Sequence, residues 1–326
     1  MFIPELNSPV LRLDQAMRDD LATSLERLGE RASDVLSAEV DTASMARQIR
    51  SHAILPGVFA RYYDLITALQ KQDWLAAERL WREISRWAAM PADFSILSFD
   101  TNDLGDDAER YQRLFSAGQS VLPQFVRPDE EALASLRRTV PAALDLLDVV
   151  HAAWAAEVRA LIAQVVALVL PGSKAEPAYG GSSMMVWGGI VVNIGRPPDL
   201  LQVLSILVHE ATHQLLFALS RTEPLVLNPV NETFGTPLRP TPRPMNAVFH
   251  STYVSGRIHT LFDMLLQRLD LKGAELAQVE ETSRLQRTRF QQGCDLIKDK
   301  ARLTPLGWRL IDEACEVIAG QQTPIS

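Results

Sequence analysis

Apolar residues recur at helical spacing along most of the chain. They do so over residues 10–50, with charges between them, and again over 57–89, where leucines and tryptophans share one face until Pro91. An acidic, aperiodic stretch over 92–107 is predicted to be a loop, and the helix after it is expected to end near Ala117. The same spacing predicts further helices over 129–138, 142–170, 197–219, 244–269 and onward to about 319.

One run of β-branched residues interrupts the helical pattern. Residues 184–194 (Met-Met-Val-Trp-Gly-Gly-Ile-Val-Val-Asn-Ile) predict one or two short strands with a turn or bulge at the glycines. The proline-rich stretch over 221–242 is predicted to be a loop. We therefore expect a mainly α fold with a small β element (α+β). Prolines near residue 128 favour an N-terminal helical region, 1–128, and a second region, 129–326, as two domains or one continuous domain.

Composition narrows the class of protein. The 326 residues are 47% hydrophobic and 22% charged, with a formal net charge of −8, so nucleic acid is not an expected partner. The apolar run over 160–170 is too short for a membrane span, and the N-terminus does not resemble a secretory signal. Cys294 and Cys315 are expected to be reduced thiols. These features predict a cytoplasmic protein without a membrane partner; they do not predict its oligomeric state.

The motif His-Glu-Ala-Thr-His lies in the predicted helix over 197–219. His209 and His213 are four residues apart, so they project from one helical face and can bind one metal ion. Glu210 lies beside them, where zinc peptidases carry the general base for a metal-bound water. Such a helix beside a short strand or hairpin predicts a zincin-like arrangement. Hydrogen-bonded core histidines are the alternative interpretation.

A metal ion needs a third protein ligand, for which the sequence offers two candidates. Glu232 follows His213 at the spacing of the gluzincin peptidases, but Pro229, Gly235 and Pro237 oppose the helix that those enzymes use there. His250 lies in a predicted helix and is the favoured ligand, with Tyr253 and Arg257 on the same face. The remaining histidines are expected to be structural or exposed: His52, His151 and His259.

Two sequence blocks resemble the HExxH-motif proteins encoded near bacterial gene clusters for modified ribosomal peptides. The first is the Ile-Leu-Val-His-Glu-x-x-His helix after a short apolar strand. The second, residues 243–253, reads Arg-Pro-Met-Asn-Ala-Val-Phe-His-Ser-Thr-Tyr. Ala247 and Ser251 stand where that family usually has glycine. The resemblance covers roughly residues 180–265.

The resemblance implies an iron(II)- and 2-oxoglutarate-dependent peptide β-hydroxylase acting on a ribosomal precursor peptide. Carried over, His209, His213 and His250 would be the iron ligands. Glu210 would lie beside the metal or act as a supporting base. An oxoacid also needs a cation for its distal carboxylate, and the sequence offers Arg243 and Arg257 without ranking them.

Two other classes stay open. A zinc metallopeptidase would use the same HExxH motif with His250 or Glu232 as third ligand, since three histidines also suit zinc. A non-catalytic binding module would use the N-terminal helices to recognise a peptide. The assigned catalytic residues are Glu210 and Tyr253 in the enzyme hypotheses.

Overall fold

A computed structural model describes residues 1–5, 9–33, 35–36, 40–117, 123–171, 179–236 and 239–320. Within these residues the chain is mainly helical with a small sheet and a hairpin, which confirms the predicted α+β class at this level. The chain divides into two compact units. The first comprises Leu11–Pro141 and Arg159–Asp199; the second comprises Met1–Val10, Ala142–Val158 and Leu200–Ser326. Residues 129–141 and 159–199 therefore group with the N-terminal helices.

The first unit begins with helices. Its first two form from the predicted stretch over 10–50, and the next two from the stretch over 57–89, where Asp73 accepts a hydrogen bond from the backbone N–H of Ala76 and so begins the fourth helix. Two short helices follow. The bounds are α1 Leu13–Arg31, α2 Thr42–Ser51, α3 Pro56–Gln70, α4 Trp74–Ala88, β1 Ser95–Ser98, α5 Thr101–Leu104 and α6 Asp107–Phe115. The predicted loop over 92–107 thus contains a strand and a helical turn.

The seventh helix, α7, spans Glu130–Leu161 and contributes to both units. Pro141 lies inside it without ending it, whereas His151 interrupts it with φ −160 and ψ 90. The prediction of helix through residue 170 is wrong, because Gln164–Leu168 forms strand β2. Every residue of β2 is buried, and an all-apolar run does not distinguish a buried helix from a buried parallel strand.

A four-stranded sheet completes the first unit. Strands β3 (Tyr179–Ser182) and β4 (Gly189–Asn193) join the two earlier strands in the order β1-β2-β4-β3. The pairings β1–β2 and β2–β4 are parallel, and β3 pairs antiparallel with β4 at the edge. The strand predicted within residues 184–194 is confirmed by β4, whereas Met184–Val186 at the start of that run form a 3-10 turn. Gly188 before β4 has a φ of +80 that favours glycine.

The second unit is built around one largely buried helix, Met245–Arg268. Its elements are α8 Leu200–Leu219, β5 Thr233–Thr236, β6 Arg239–Pro244, α9 Met245–Arg268, α10 Gly273–Lys300 and α11 Pro305–Gly320. Helix α9 packs against α8, α10 and α11. The predicted loop over 221–242 was wrong in part, because β5 and β6 form an antiparallel hairpin. Prolines at alternate positions of β6 remove N–H groups from one side only, which leaves the other side to pair.

Among the described residues, one helix, α8, is long and apolar enough by length and composition to cross a membrane. In this structure 61% of that apolar stretch is buried inside the protein. A buried core helix can have the same length and composition, so packing inside the protein explains why this stretch is apolar.

Candidate functional site

The HExxH motif lies in the middle of α8. The helix places His209 and His213 one turn apart, as their spacing predicts. The His209 side chain is 40% exposed, and the Glu210 side chain between them is buried. The outer face of this turn is therefore open to solvent at His209 and closed at Glu210.

Helix α9 brings the third histidine to this turn. His250 Nδ1 lies 3.2 Å from His213 Nδ1, and His209 Nε2 lies 3.2 Å from His213 Nε2. The His213 and His250 rings are stacked, with centroids 5.5 Å apart. The three predicted metal ligands thus form one cluster, the histidine cluster, on two packed helices.

The two contacts of the histidine cluster differ in how well they suit a metal ion. Two imidazole nitrogens on one tetrahedral ion at metal–nitrogen distances near 2.0–2.1 Å lie about 3.3 Å apart. The Nε2 atoms of His209 and His213 match that separation. His250 instead faces the opposite nitrogen of His213, so the three rings do not converge on one point in this side-chain arrangement. Accordingly, no group of three or more His, Cys, Asp or Glu side chains among the described residues forms a ready metal site.

The donor set nevertheless fits a metal chemically. Burial lowers the pKa of His213 to about 4, and burial together with the neighbouring His213 lowers the pKa of His250 to about 3. Both rings are therefore neutral at pH 7, which is the form that binds a metal. Neutral rings can also share N–H···N hydrogen bonds in a chain through His213.

An aromatic side chain closes the cluster on one side. Phe217 stacks on His213 with centroids 6.3 Å apart and lies 5.5 Å from the His250 ring centroid. The sequence prediction missed it, although Phe217 follows His213 by four residues and therefore shares its helical face. This apolar wall excludes water from the buried side of the imidazoles.

Glu210 is placed beside the cluster. Its Oε1 lies 3.8 Å from His209 Nε2, which is beyond hydrogen-bond distance. The residue is 2% exposed. A carboxylate in this position can accept a proton from a group held at His209.

A buried ion pair lies further along α9. Arg257 Nη2 donates to Glu157 Oε1 at 2.5 Å, and both side chains are fully buried. Arg257 Nη1 also donates to Thr212 Oγ1 at 3.3 Å, and its guanidinium lies 4.9 Å from the ring centroid of Trp154. Burial raises the pKa of Glu157 and the adjacent guanidinium opposes that rise. Arg257 therefore already has a carboxylate partner within the protein.

The partners of Arg257 were not predicted. Within the mostly apolar run 149–158 of α7, Glu157 is the one Asp, Glu, Lys or Arg, and that pattern could have indicated that it needs a buried cation. Trp154 lies three residues earlier on the same helix. Which arginine they meet depends on how α7 and α9 pack, and no local pattern encodes that.

The predicted catalytic tyrosine is deeply buried. Tyr253 is fully inaccessible, with Phe2 edge-on at 5.3 Å and Phe249 parallel at 6.4 Å between centroids. Burial raises the pKa of its hydroxyl, and Arg257 opposes that rise. Within the described ranges, the hydroxyl has no hydrogen-bond partner. Tyr253 shares a helical face with His250 but is packed as a core aromatic.

The remaining candidates lie on other parts of the chain. Arg243 is exposed on β6, opposite Phe234 of β5. Glu232 is exposed just before β5 and accepts hydrogen bonds from Asn228 and Arg302, so the helix that a gluzincin ligand requires is absent at this position. Of the other histidines, His259 contacts Ser283 Oγ at 2.8 Å, His151 interrupts α7 and His52 follows α2.

The site is thus a set of three imidazoles on two packed helices, of which His213 and His250 are neutral at pH 7, with a buried glutamate beside it. Models of known protein families were compared with the chain and none matches, and no curated protein matches it either. Function is therefore inferred from the residues of the site and from the resemblance of its two motif blocks.

Proposed function

We propose that this protein is an iron(II)- and 2-oxoglutarate-dependent hydroxylase that β-hydroxylates a residue of a ribosomal precursor peptide in the cytoplasm. The observation that carries the proposal is the histidine cluster, in which His209, His213 and His250 meet from two helices at 3.2 Å contacts. The block of residues 243–253, which begins with Arg-Pro and contains His250, favours this function over those of other HExxH proteins. The surrounding architecture would be zincin-like, with α8 as the motif helix.

In this proposal His209, His213 and His250 hold the metal ion. When bound, iron(II) supplies the position at which dioxygen and 2-oxoglutarate react. Glu210 lies beside His209 and would accept a proton from a polar group there. The apolar ring of Phe217 keeps water from the inner face of the cluster, which strengthens electrostatic interactions inside it.

Arg243 is the better of the two arginines for binding the oxoacid. A distal carboxylate needs an accessible guanidinium, and Arg243 is exposed whereas Arg257 is fully buried against Glu157. Arg243 also immediately precedes the helix that carries His250. Tyr253 and Arg257 then support the position of α9 instead of contacting substrate.

A zinc metallopeptidase is the second candidate, and the position of Glu210 favours it. A buried carboxylate 3.8 Å from a histidine nitrogen is placed as the general base of such enzymes is. His250 would be the third ligand, because Glu232 is exposed and bonded to Arg302.

Metal analysis combined with turnover distinguishes the candidates. The protein is purified without oxygen, loaded with Fe(II) or Zn(II), and assayed for bound metal and for succinate formed from 2-oxoglutarate. We expect one Fe(II) per chain and succinate release. Each of His209→Ala, His213→Ala and His250→Ala should lose the metal, whereas His52→Ala and Glu232→Ala should retain it.

Two outcomes would overturn the proposal. Full zinc occupancy with no succinate release, together with cleavage of a peptide, would favour the peptidase. A chain that binds neither metal would exclude both enzymes and leave a module that recognises a peptide without chemistry.

A further inference from the structure

The two cysteines of the chain, which lie far from each other in sequence, meet in the second unit. Cys294 lies on α10 and Cys315 on α11, and their Sγ atoms are 3.6 Å apart. Cys294 is 4% exposed, whereas Cys315 is half-buried. Both are free thiols, as the sequence predicts. Their contact was not predicted.

The backbone packing fixes this contact. Next to Cys294, Gly293 meets Thr252 of α9 so closely that an added Cβ would lie 1.9 Å from the threonine Oγ1. Helix α10 therefore cannot move closer to α9 at this level. Helix α11 begins at Pro305, shortly after α10 ends at Lys300, and it also packs on α9. The two thiols are thus held facing each other by a helix that both of their own helices contact.

We propose that Cys294 and Cys315 are a redox-active thiol pair that closes to an intramolecular disulfide on reaction with a hydroperoxide, linking α10 to α11. The proposal is independent of the metal chemistry. A disulfide requires an Sγ–Sγ separation of about 2.05 Å, so the sulfurs must approach by roughly 1.5 Å. Rotation about the two Cα–Cβ bonds moves each sulfur and so can shorten this separation.

The two thiols are unequal, and their inequality defines the order of the steps. The thiol of Cys294 hydrogen-bonds to Cys315 and lowers the pKa of Cys315 to about 7. The partly exposed Cys315 is therefore the thiolate that meets the oxidant. Its sulfur attacks the terminal oxygen of the hydroperoxide, which breaks the O–O bond, releases an alcohol after protonation and leaves a sulfenic acid.

The buried thiol completes the reaction. The sulfur of Cys294 attacks the sulfenic sulfur of Cys315, an S–S bond forms, and hydroxide leaves with the proton of Cys294 as water. In total, two thiols lose two electrons and two protons, and the hydroperoxide becomes one alcohol and one water. With hydrogen peroxide the products are two waters.

Intact mass and thiol titration test the proposal, because the chain has only 2 cysteines. Reduced protein is treated with one equivalent of hydrogen peroxide. We expect a monomer that is about 2 Da lighter and has no titratable thiol, and full recovery of both thiols with dithiothreitol. The oxidised monomer should unfold at a higher temperature, by on the order of 5 °C, since the cross-link restricts the unfolded chain.

The single variants Cys294→Ser and Cys315→Ser are matched controls, and each should fail to lose 2 Da. Cys294→Ser should instead gain about 16 Da as a sulfenic acid at Cys315, whereas Cys315→Ser should react more slowly. If Cys294→Ser does not fold, Cys294→Ala should likewise fail to lose 2 Da, and should gain oxygen more slowly because it lacks the hydrogen bond to Cys315. Two thiols that stay titratable in the wild type, a disulfide-linked dimer, or addition of oxygen without loss of 2 Da would each overturn the proposal.

Discussion

Removing the two partners of the buried Glu157–Arg257 pair should have unequal effects on the free energy of unfolding. Both side chains are fully buried, so neither charge reaches water. In Glu157→Leu the guanidinium stays charged, because arginine cannot be deprotonated in a protein, and its carboxylate partner is gone. The cost of leaving such a charge unpaired is about 3–5 kcal/mol.

The opposite substitution should cost less. In Arg257→Met the remaining carboxyl can take up a proton and become neutral, and burial already raises the pKa of Glu157. The loss then approaches that of one unsatisfied neutral group, about 1–3 kcal/mol. The double variant Glu157→Leu with Arg257→Met has no buried charge and should be more stable than Glu157→Leu alone.

The pH dependence gives a second readout for Arg257→Met. Loss of the guanidinium raises the folded-state pKa of Glu157 further above its ordinary value of 4.5. The contribution of the protonated Glu157 to the free energy of unfolding is then complete below pH 4.5. It is lost as the pH rises through the folded-state pKa. The free energy of unfolding of Arg257→Met should therefore fall, relative to that of the wild type, between pH 5 and 8. That of the double variant should not.

Urea unfolding followed by circular dichroism measures all of these variants. With a denaturant slope of roughly 3 kcal/mol/M, Glu157→Leu should lower the midpoint by about 1 M or more. Glu281→Leu is the matched control, because its ion pair with Arg284 lies on the surface with both side chains mostly exposed, and it should leave the midpoint nearly unchanged. Equal losses in the two single variants, or strictly additive losses in the double variant, would refute the reasoning.

Three further predictions follow from other parts of the structure. Arg243→Met should raise the KM for 2-oxoglutarate about tenfold or more without loss of bound iron, since it removes a charge-assisted contact, and an unchanged KM would exclude Arg243 from the site. Gly293→Ala should destabilise the fold by about 1–3 kcal/mol in urea unfolding, because its Cβ would meet Thr252, whereas Gly235→Ala faces open space and should be neutral. Glu232→Ala should keep full metal content by elemental analysis, and metal loss in that variant would reinstate the gluzincin ligand set.

Local patterns predicted the elements that carry their own signal. Helix α8 is preceded by two prolines and has a continuous apolar face. The β-branched run of β4 follows Gly188, whose positive φ favours glycine. Strand β2 has no such signal, because its surroundings bury both of its faces and so remove any periodicity. The β6 prolines indicated a loop, yet their alternate spacing leaves one hydrogen-bonding edge complete.

From the sequence, the candidate site could be predicted only for residues that share one face of a helix. The spacing of His209 and His213 determines that they are neighbours on any helix, and Phe217 follows by the same rule. Arg257 could equally have bound a ligand or a partner from within the chain, and the choice depends on Glu157, which lies 100 residues away. Sequence patterns do not encode the packing of α7 on α9, so the partner of Arg257 was beyond prediction.

The same reasoning applies to the choice between Glu232 and His250 as the predicted third ligand. Linear spacing predicts a ligand only if the intervening chain forms the elements for which that spacing was defined. Here the chain after His213 forms a hairpin, which leaves Glu232 exposed beside Arg302, and only then begins the helix that returns His250 to His213. The metal-ligand hypothesis therefore depends on which helix packs against α8, and mutating His250 tests that packing and the chemistry together.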